Sequence, residues 1–367
     1  MSELTKTLED VFGFTSFRLG QEEIINYLMQ KKKLLAVMPT GSGKSLCYQL
    51  PALLFENQTI VVSPLVALMN DQVIGLKDLD INAERVHSGM SESERTQIWE
   101  KFKNKQIKIL YISPESLMRV EMLSALKALN ISMFVVDEAH CISKWGSDFR
   151  REYELLKELQ NHFPEAIISA FTATADEETR ADINNKLTNG EGKIFLYGFN
   201  RPNLSLAVQQ KTNNWKAQLL EFLANRKNES GIVYCLSQKL TEQCAEFLQS
   251  EDFNAYPFHA GLDTDVKIDT QDKFMTEDNV VVCATIAFGM GIDKADVRYV
   301  AHISLPSSME AFYQEIGRAG RDGLDADTLL IFGLQDLFQR KRFIDMTDAH
   351  DSFKIKEHKR LDALIAY

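Results

Sequence analysis

Residues 38–45 have a composition and spacing that can bind phosphate, because they read Met-Pro-Thr-Gly-Ser-Gly-Lys-Ser. The preceding run, 34–37, is apolar and has the length of a buried strand. A strand that turns through glycines into a helix directs several N–H groups and a helix N-terminus at one point, where an anion is stabilised. In the G-x-x-x-x-G-K-[ST] pattern, Lys44 reaches the β- and γ-phosphates of a nucleotide and Ser45 helps to hold Mg²⁺.

The match to this pattern is imperfect, since Met38 stands where the pattern has its first glycine. A glycine-rich turn without a ligand is the alternative interpretation. On the nucleotide-binding interpretation, the candidate residues are Thr40, Gly41, Ser42, Gly43, Lys44 and Ser45.

Two adjacent carboxylates, Asp137 and Glu138, follow a second apolar run at 131–136. Ligands of open parallel sheets bind beyond the carboxyl ends of the strands, so this pair can share a crevice with the phosphate loop. Asp137 would then hold Mg²⁺ and Glu138 would orient or deprotonate the attacking water. An Asp-Glu pair alone is often a solvated cap, but the loop at 38–45 favours a catalytic pair.

Two arginines, Arg318 and Arg321, lie in the segment Gln-Glu-Ile-Gly-Arg-Ala-Gly-Arg-Asp-Gly at 314–323. If this segment is helical, the two side chains share one face. An arginine brought to the γ-phosphate from another domain raises the hydrolysis rate by about 10³–10⁵-fold. The alternative is a solvated basic turn.

Short β-branched runs alternate with helical patterns along the chain, which predicts βαβ units around parallel sheets. The alternation occurs twice, on either side of residues 198–204, whose glycine and X-Pro step predict a linker. The expected fold is α/β, with two tandem domains that are each a mainly parallel sheet flanked by helices. The predicted strands are 34–37, 60–62, 107–112, 131–136, 167–171, 231–235, 254–258, 280–284, 297–303 and 328–332.

Composition narrows the possible classes of protein. The 367 residues suffice for two or three domains, and the 45% hydrophobic and 25% charged residues are typical of globular chains. Five dispersed cysteines without C-x-x-C spacing favour reduced thiols and argue against a structural zinc site. No secretory signal or membrane-length apolar stretch occurs, so we expect a cytoplasmic protein without a membrane partner. The net charge of −11 limits nucleic-acid contact to a local groove.

These blocks, in this order, resemble the helicase core of the RecQ family in helicase superfamily 2 over roughly residues 10 to 340. The resemblance implies two RecA-like domains, at 1–197 and 198–340, followed by a helical tail at 341–367. Family members commonly continue into a four-cysteine zinc module and a winged helix. The chain stops before the first such cysteine, so we expect no zinc, and duplex separation by this core alone is in doubt.

The segment 14–21, Phe-Thr-Ser-Phe-Arg-Leu-Gly-Gln, resembles the adenine-recognition motif of the family. The resemblance implies that Gln21 reads the base edge while Phe14 and Arg18 enclose the ring. Glutamine can bond bidentately to adenine, and stacking supplies the remaining contact. Without the resemblance, Gln21 is a polar residue at a helix start and Phe14 is a core aromatic.

Further blocks resemble the family's DNA contacts and its coupling motif. Prolines and hydroxyls in such loops let the backbone meet phosphates without reading sequence. The segments 63–72 and 112–115 resemble the loops that grip the tracked strand, and the first of them contains Ser63 and Pro64. The segment 169–175 resembles the motif that couples hydrolysis to domain movement. In the second domain the resemblance implies that His259 contacts DNA and that Asp293 contacts the nucleotide.

The block most specific to the family is 139–150, Ala-His-Cys-Ile-Ser-Lys-Trp-Gly-Ser-Asp-Phe-Arg, which resembles its aromatic-rich loop that senses single-stranded DNA. Trp145 and Phe149 would stack on unpaired bases, at about 1–3 kcal/mol per base. Arg150 would pair with the strand's backbone or base faces. The alternative is that both aromatic rings pack against the following helix.

The resemblance implies an ATP- and Mg²⁺-dependent DNA helicase or translocase that moves 3′ to 5′ on single-stranded and partly duplex DNA in repair or recombination. We expect a monomer, associated with the nucleoid if the protein is bacterial. Two alternatives remain: an RNA helicase, since Asp-Glu-Ala-His also occurs in that class, and a nucleotide-gated binding or annealing module with weak hydrolysis.

Overall fold

The computed structural model describes residues 2–143, 150–198, 201–289, 294–347 and 351–366. The chain divides into two compact units, Met1–Phe199 and Asn200–Tyr367. Within the described ranges, no helix is both long and apolar enough to cross a bilayer.

The strands of the first unit form a parallel sheet. They are β1 (Leu34–Val37), β2 (Thr59–Val62), β3 (Ala83–Val86), β4 (Ile109–Ile112), β5 (Met133–Val136), β6 (Ile167–Thr172) and β7 (Lys193–Leu196). Across the sheet their order is β3-β4-β2-β5-β6-β1-β7, and all neighbours are parallel. The strand before the phosphate loop therefore lies two places from the strand before the Asp-Glu pair.

Helices connect these strands. They are α1 (Glu3–Phe12), α2 (Gln21–Met29), α3 (Lys44–Leu54), α4 (Val66–Asp78), α5 (Glu92–Lys103), α6 (Pro114–Leu117), α7 (Val120–Lys127), α8 (Arg151–Glu154), α9 (Leu159–His162) and α10 (Glu177–Thr188). Two 3₁₀ turns cover Ala139–Ile142 and Leu155–Glu158. Because side chains alternate along a strand, Leu35 and Val37 pack into the core on one face of the sheet while Leu34 and Ala36 pack into the core on the other. Burial on both faces explains why these strands read as continuous apolar runs.

The second unit repeats this plan. Its strands are β8 (Leu204–Gln210), β9 (Gly231–Tyr234), β10 (Asn254–Phe258), β11 (Val280–Ala284), β12 (Tyr299–His302) and β13 (Ala326–Phe332). They form a parallel sheet in the order β10-β11-β9-β12-β13-β8. The helices are α11 (Trp215–Leu223), α12 (Gln238–Ser250), α13 (Thr264–Thr276), α14 (Met309–Ile316), α15 (Leu334–Met346) and α16 (Asp351–Ala366). The α/β prediction of two mainly parallel sheets flanked by helices is confirmed.

Three strands, β3, β7 and β8, were not among those predicted, and all three lie at sheet edges. An edge strand has one partner and less burial, so it lacks a continuous apolar run. The strand β7, for example, buries only Phe195 of its four residues. The strand β8 also begins at Leu204, the last residue of the predicted linker.

The C-terminal helices belong to the second unit. The boundary predicted between residues 340 and 341 falls inside α15. Leu361 and Leu364 of α16 are buried in the same core cluster as Phe312 and Leu330. These apolar contacts make α16 part of the second unit.

Candidate functional site

The carboxyl ends of β1, β6 and β5 bring the predicted nucleotide-site residues of the first unit to one edge of the sheet. Val37 at the end of β1 pairs with Thr172 of β6, and Val136 at the end of β5 pairs with Ala170. Since ligands of parallel sheets bind at this edge, the phosphate loop and the Asp-Glu pair lie where a shared ligand is expected.

The phosphate loop turns directly from β1 into α3. Gly41 and Gly43 have φ of 78° and 76°, in the left-handed region that glycine adopts without strain. Met38, the departure from the pattern, is buried, and its N–H donates to Thr172 O at 3.0 Å. This residue therefore continues the ladder between β1 and β6, and its side chain fills the core instead of lining the loop.

The ammonium group of Lys44 is the most informative feature of the loop. Its Nζ is buried and has no hydrogen-bond partner among the described residues. Burying an ammonium group without a partner costs on the order of several kcal/mol of folding free energy, because the charge loses its hydration. Such a group is therefore typical of a site where an anion binds. The N-terminus of α3, which begins at Lys44, favours an anion at the same place.

Asp137 and Glu138 follow β5 with an unusual backbone turn. Asp137 is 7% exposed, and its N–H continues the ladder to Val62 O at 2.9 Å. Glu138 has φ 46° and ψ 45°, a left-handed conformation that is uncommon for a non-glycine residue and is typical of functional sites. Burial and the Glu138 carboxylate raise the pKa of Asp137 to about 7, against the opposing effect of Lys44.

A close contact joins His140 and Thr172, neither of which was among the predicted site residues. The His140 Nδ1 lies 2.8 Å from Thr172 Oγ1 and 3.3 Å from Glu138 Oε2. Thr172 Oγ1 also donates to Thr174 O at 3.0 Å. The Asp-Glu-Ala-His turn is thereby connected to the segment 169–175. The sequence singled out this segment as a block, but it gave no signal for Thr172 itself.

Gln21, which the resemblance assigns to the adenine edge, hydrogen-bonds to the phosphate loop. Its Nε2 donates to Ser42 O and Gly43 O, each at 3.1 Å, and its Oε1 accepts from Arg18 N at 2.8 Å. The Arg18 Nη1 donates to Gly41 O at 2.7 Å. The amide of Gln21 is therefore engaged with the phosphate loop, whereas the ring of Phe14 is 49% exposed and accessible for stacking.

Three of the predicted DNA-contacting residues of the first unit, Ser63, Pro64 and Arg150, are adjacent to one another. Arg150 Nη1 donates to Pro64 O at 2.8 Å, and Arg150 N donates to Cys141 O at 2.9 Å. Ser63 is buried, and its Oγ has no partner among the described residues. Trp145 and Phe149 lie outside the described residues.

The two arginines of the second unit follow α14 instead of lying within it. The helix ends at Ile316, so the conditional expectation of a shared helical face does not apply. The Arg318 side chain is 9% exposed and lies against Gly289, where a Cβ would be 2.7 Å from Arg318 Nη2. Burial raises the pKa of Tyr234 to about 12, although the neighbouring Arg318 lowers it.

A buried contact between a glutamate and a histidine supports α14 immediately before these arginines. Glu315 Oε2 lies 2.6 Å from His302 Nε2, and the His302 ring stacks on Tyr234 with centroids 5.1 Å apart. His302 was missed because a single histidine at a strand end carries no recognisable sequence signal.

His259 is 3% exposed, and its Nε2 lies 3.2 Å from Glu242 Oε1. This imidazole is therefore buried beside an acidic partner and is not exposed on an open surface. Asp293, predicted to contact the nucleotide, lies outside the described residues.

Two family descriptions match the chain: DEAD/DEAH box helicase over residues 18–183, and helicase conserved C-terminal domain over residues 215–323. A solved structure of Mycobacterium smegmatis helicase Lhr bound to ssDNA and AMP-PNP superposes with a TM-score of 0.72 over 94% of this chain and 49% of that chain. At 20% identity this likeness is one of fold.

Two bacterial relatives have a higher sequence identity to this chain. The ATP-dependent DNA helicase RecQ of Pasteurella multocida (strain Pm70) is 44% identical over 325 residues, or 89% of this chain and 51% of that protein. The chain thus spans about half the length of that relative. The probable ATP-dependent DNA helicase RecS of Bacillus subtilis (strain 168) is 40% identical over 350 residues, or 94% of this chain and 70% of that protein. The predicted resemblance is confirmed, and the chain belongs to the RecQ family of superfamily 2 helicases.

Proposed function

We propose that this chain hydrolyses ATP and uses the hydrolysis to move 3′ to 5′ along single-stranded DNA, on single-stranded or partly duplex substrates. The observation that carries the proposal is the buried Lys44 ammonium, which has no hydrogen-bond partner in the described part of the chain and lies at the edge of the sheet that also holds Asp137 and Glu138. The relatives above are named DNA helicases, which favours DNA over RNA as the partner.

In the proposed mechanism, residues of the first unit bind and orient the triphosphate. Lys44 and the N–H groups of Thr40, Gly41, Ser42 and Gly43 neutralise the phosphate oxygens, and Glu138 accepts a proton from the attacking water. The Ser45 hydroxyl and the Asp137 carboxylate are oxygen donors of the kind that Mg²⁺ prefers. When bound there, Mg²⁺ supplies positive charge to the β- and γ-phosphates.

The arginines act from the second unit. Arg318 and Arg321 stabilise the charge that develops on the γ-phosphate when the two units close on the nucleotide. Release of the products removes this attraction, and repeated closing and opening produces movement along the strand. Asp293 is proposed to contribute to the same nucleotide site.

The DNA strand is proposed to contact Ser63, Pro64 and the aromatic residues Trp145 and Phe149. Arg150 is proposed to reach the strand while one of its nitrogens holds Pro64 O. Given its burial and its pairing with Glu242, His259 is proposed to act by supporting the surrounding loop. Phe14 and Arg18 are proposed to enclose the adenine ring.

Other properties also stand as proposals. The regions 1–197, 198–340 and 341–367 are proposed as two RecA-like domains and a C-terminal helical region. The chain is proposed to require no zinc, to act as a monomer and to work in the cytoplasm, in DNA repair or recombination.

The proposal is tested by displacing streptavidin from single-stranded DNA that carries biotin at either its 3′ or its 5′ end. We expect ATP-dependent displacement from the 5′ end alone, and none with Lys44→Ala. The exposed Lys101→Ala is the matched control and retains wild-type displacement. Displacement by Lys44→Ala, or by wild-type protein without ATP, contradicts the proposal.

A further inference from the structure

The two proposed catalytic arginines lie on a turn whose carbonyl groups accept hydrogen bonds from side chains. We use the name arginine turn for Gly317–Leu324, which connects α14 to the segment before β13. Its N–H groups bond mainly to backbone carbonyls, for example Gly320 N to Val297 O at 2.9 Å. The last carbonyls of a helix and those of an irregular turn have no helical N–H to bond, so other groups must satisfy them. The position of the arginine turn therefore depends in part on whatever supplies donors to these carbonyls.

Among the described residues, Arg201 makes three of the five side-chain hydrogen bonds to these carbonyls. Its Nη2 donates to Ala319 O at 2.9 Å and to Gly320 O at 2.7 Å, and its Nη1 donates to Gly317 O at 3.4 Å. A cation at a helix C-terminus is also favoured by the helix dipole. The planar fork of a guanidinium suits several carbonyls in one plane in a way that a lysine ammonium does not.

Asn203 completes the arrangement. Its Nδ2 donates to Gly320 O at 3.0 Å and to Leu324 O at 2.8 Å, while its Oδ1 accepts from Arg201 Nε at 3.3 Å. Gly320 has φ 56°, and a Cβ on it would lie 2.6 Å from Asn203 Nδ2. The close approach of this amide thus requires glycine at 320.

We use the name clamp for Arg201 and Asn203. The carbonyls that the clamp holds belong to residues next to the two arginines and so determine the position of the arginine Cα atoms. Gly317 and Ala319 flank Arg318, and Gly320 directly precedes Arg321. Clamping both peptide neighbours of Arg318 fixes the direction of its Cα–Cβ bond, as packing and hydrogen bonds must for any group that acts at a defined distance.

We propose that Arg201 and Asn203 are positioning residues for ATP hydrolysis, because they hold the arginine turn in the conformation that directs Arg318 and Arg321 at the triphosphate. This inference rests on the proposed function. Arg201 also lies four residues after Tyr197, whose hydroxyl donates to Glu23 Oε2 at 2.7 Å and whose ring covers Gly20 beside Gln21. Tyr197, in the first unit, thus contacts residues beside the proposed adenine site. Arg201, in the second unit, contacts the arginine turn.

The first test compares Arg201→Ala, Arg201→Lys and Asn203→Ala with the exposed Arg342→Ala as control. We expect Arg201→Ala to lower the kcat of DNA-stimulated ATP hydrolysis about tenfold or more, since a displacement of about 1 Å can cost about 10²-fold in rate. The Kd for a non-hydrolysable ATP analogue should change little, because the phosphate loop is intact. Arg201→Lys should fall between, and Arg342→Ala should match the wild type.

The second test is a mutant cycle with the double variant Arg318→Ala/Arg321→Ala. If Arg201 acts through the two arginines of the arginine turn, Arg201→Ala causes little further loss of kcat in the background that lacks both. Thermal unfolding of every variant accompanies the kinetics, and Arg201→Lys and Asn203→Ala decide the question if Arg201→Ala does not fold.

Two results overturn the inference: a folded Arg201→Ala variant with wild-type kcat, or losses in the cycle that multiply independently. Wild-type protein without any DNA-stimulated hydrolysis refutes the proposed function instead. An active wild type with unaffected clamp variants refutes the positioning role alone.

Discussion

At the scale of single residues, the sequence nominates candidate site residues more readily than it predicts which groups they contact. Lys44, Asp137 and Glu138 were found from residue type and spacing, because their chemistry follows a local pattern. The contacts of Gln21 with Ser42 and Gly43, and of His302 with Glu315, join residues 13 or more positions apart. Such contacts depend on how helices pack against the sheets, which no local pattern specifies.

The partners of Gln21 lead to a prediction that separates two roles. If Gln21 holds the phosphate loop, Gln21→Ala weakens ATP and GTP binding alike, by about fivefold or more, since two hydrogen bonds of about 0.5–1.5 kcal/mol each are lost. Gln21→Glu weakens binding further because a carboxylate oxygen then faces two carbonyls. Nucleotide titrations with the exposed Glu22→Ala as control measure this, and loss of ATP binding alone would instead assign Gln21 to the base.

Asp137 should make the stability of the protein depend on pH when Mg²⁺ is removed with a chelator. Its pKa is raised from 3.8 to about 7, so the folded state holds this proton more tightly than the unfolded state. Its contribution to the free energy of unfolding is therefore fully present below about pH 4 and declines as the pH rises through about 7.

The substitution Asp137→Asn removes this dependence. We expect Asp137→Asn to raise the Tm at pH 8 relative to the wild type and to change it little at pH 4. Thermal unfolding at both pH values measures the difference, with the exposed Asp78→Asn as control. An equal shift at the two pH values would contradict the assignment.

At the scale of elements, continuous burial decides what the sequence reveals. The central strands β1, β5 and β11 are buried on both faces and were predicted from their apolar runs. The edge strand β8 has exposed side chains at most positions, and the pairing of Leu204 with Ala326 that makes it a strand involves a distant part of the chain. Its apolar content alone therefore carried too weak a signal.

Two glycines in different elements give a matched pair of variants. Gly43 has φ 76°, and a Cβ on it would lie 2.4 Å from Gln21 Nε2. We expect Gly43→Ala to destabilise the first unit by about 1–2 kcal/mol through backbone strain and to weaken nucleotide binding. Gly75, inside α4, has nothing within 4 Å of an added Cβ, so Gly75→Ala should stabilise by about 0.5–1 kcal/mol.

Chemical denaturation and nucleotide titration of both variants measure these effects. Opposite signs in stability, with binding affected in Gly43→Ala alone, agree with the account. A Gly43→Ala variant that binds nucleotide as tightly as the wild type would show that the loop tolerates a side chain there.

At the scale of the whole molecule, each of the two parallel sheets carries part of the motifs on which the proposed motor depends: the first unit carries the phosphate loop and the second carries the two arginines. The formal charge of −11 disfavours indiscriminate adhesion to nucleic acid, so binding must come from a local surface. A coupled motor should therefore hydrolyse ATP quickly only when its own strand is present.

The most direct test is steady-state ATP hydrolysis without nucleic acid, with single-stranded DNA and with single-stranded RNA of the same sequence. We expect strong stimulation by DNA, little by RNA, and almost no turnover with Glu138→Gln, which should still bind ATP because Lys44 and the phosphate loop remain. Absence of stimulation by DNA, equal stimulation by RNA, or full activity of Glu138→Gln would contradict the account.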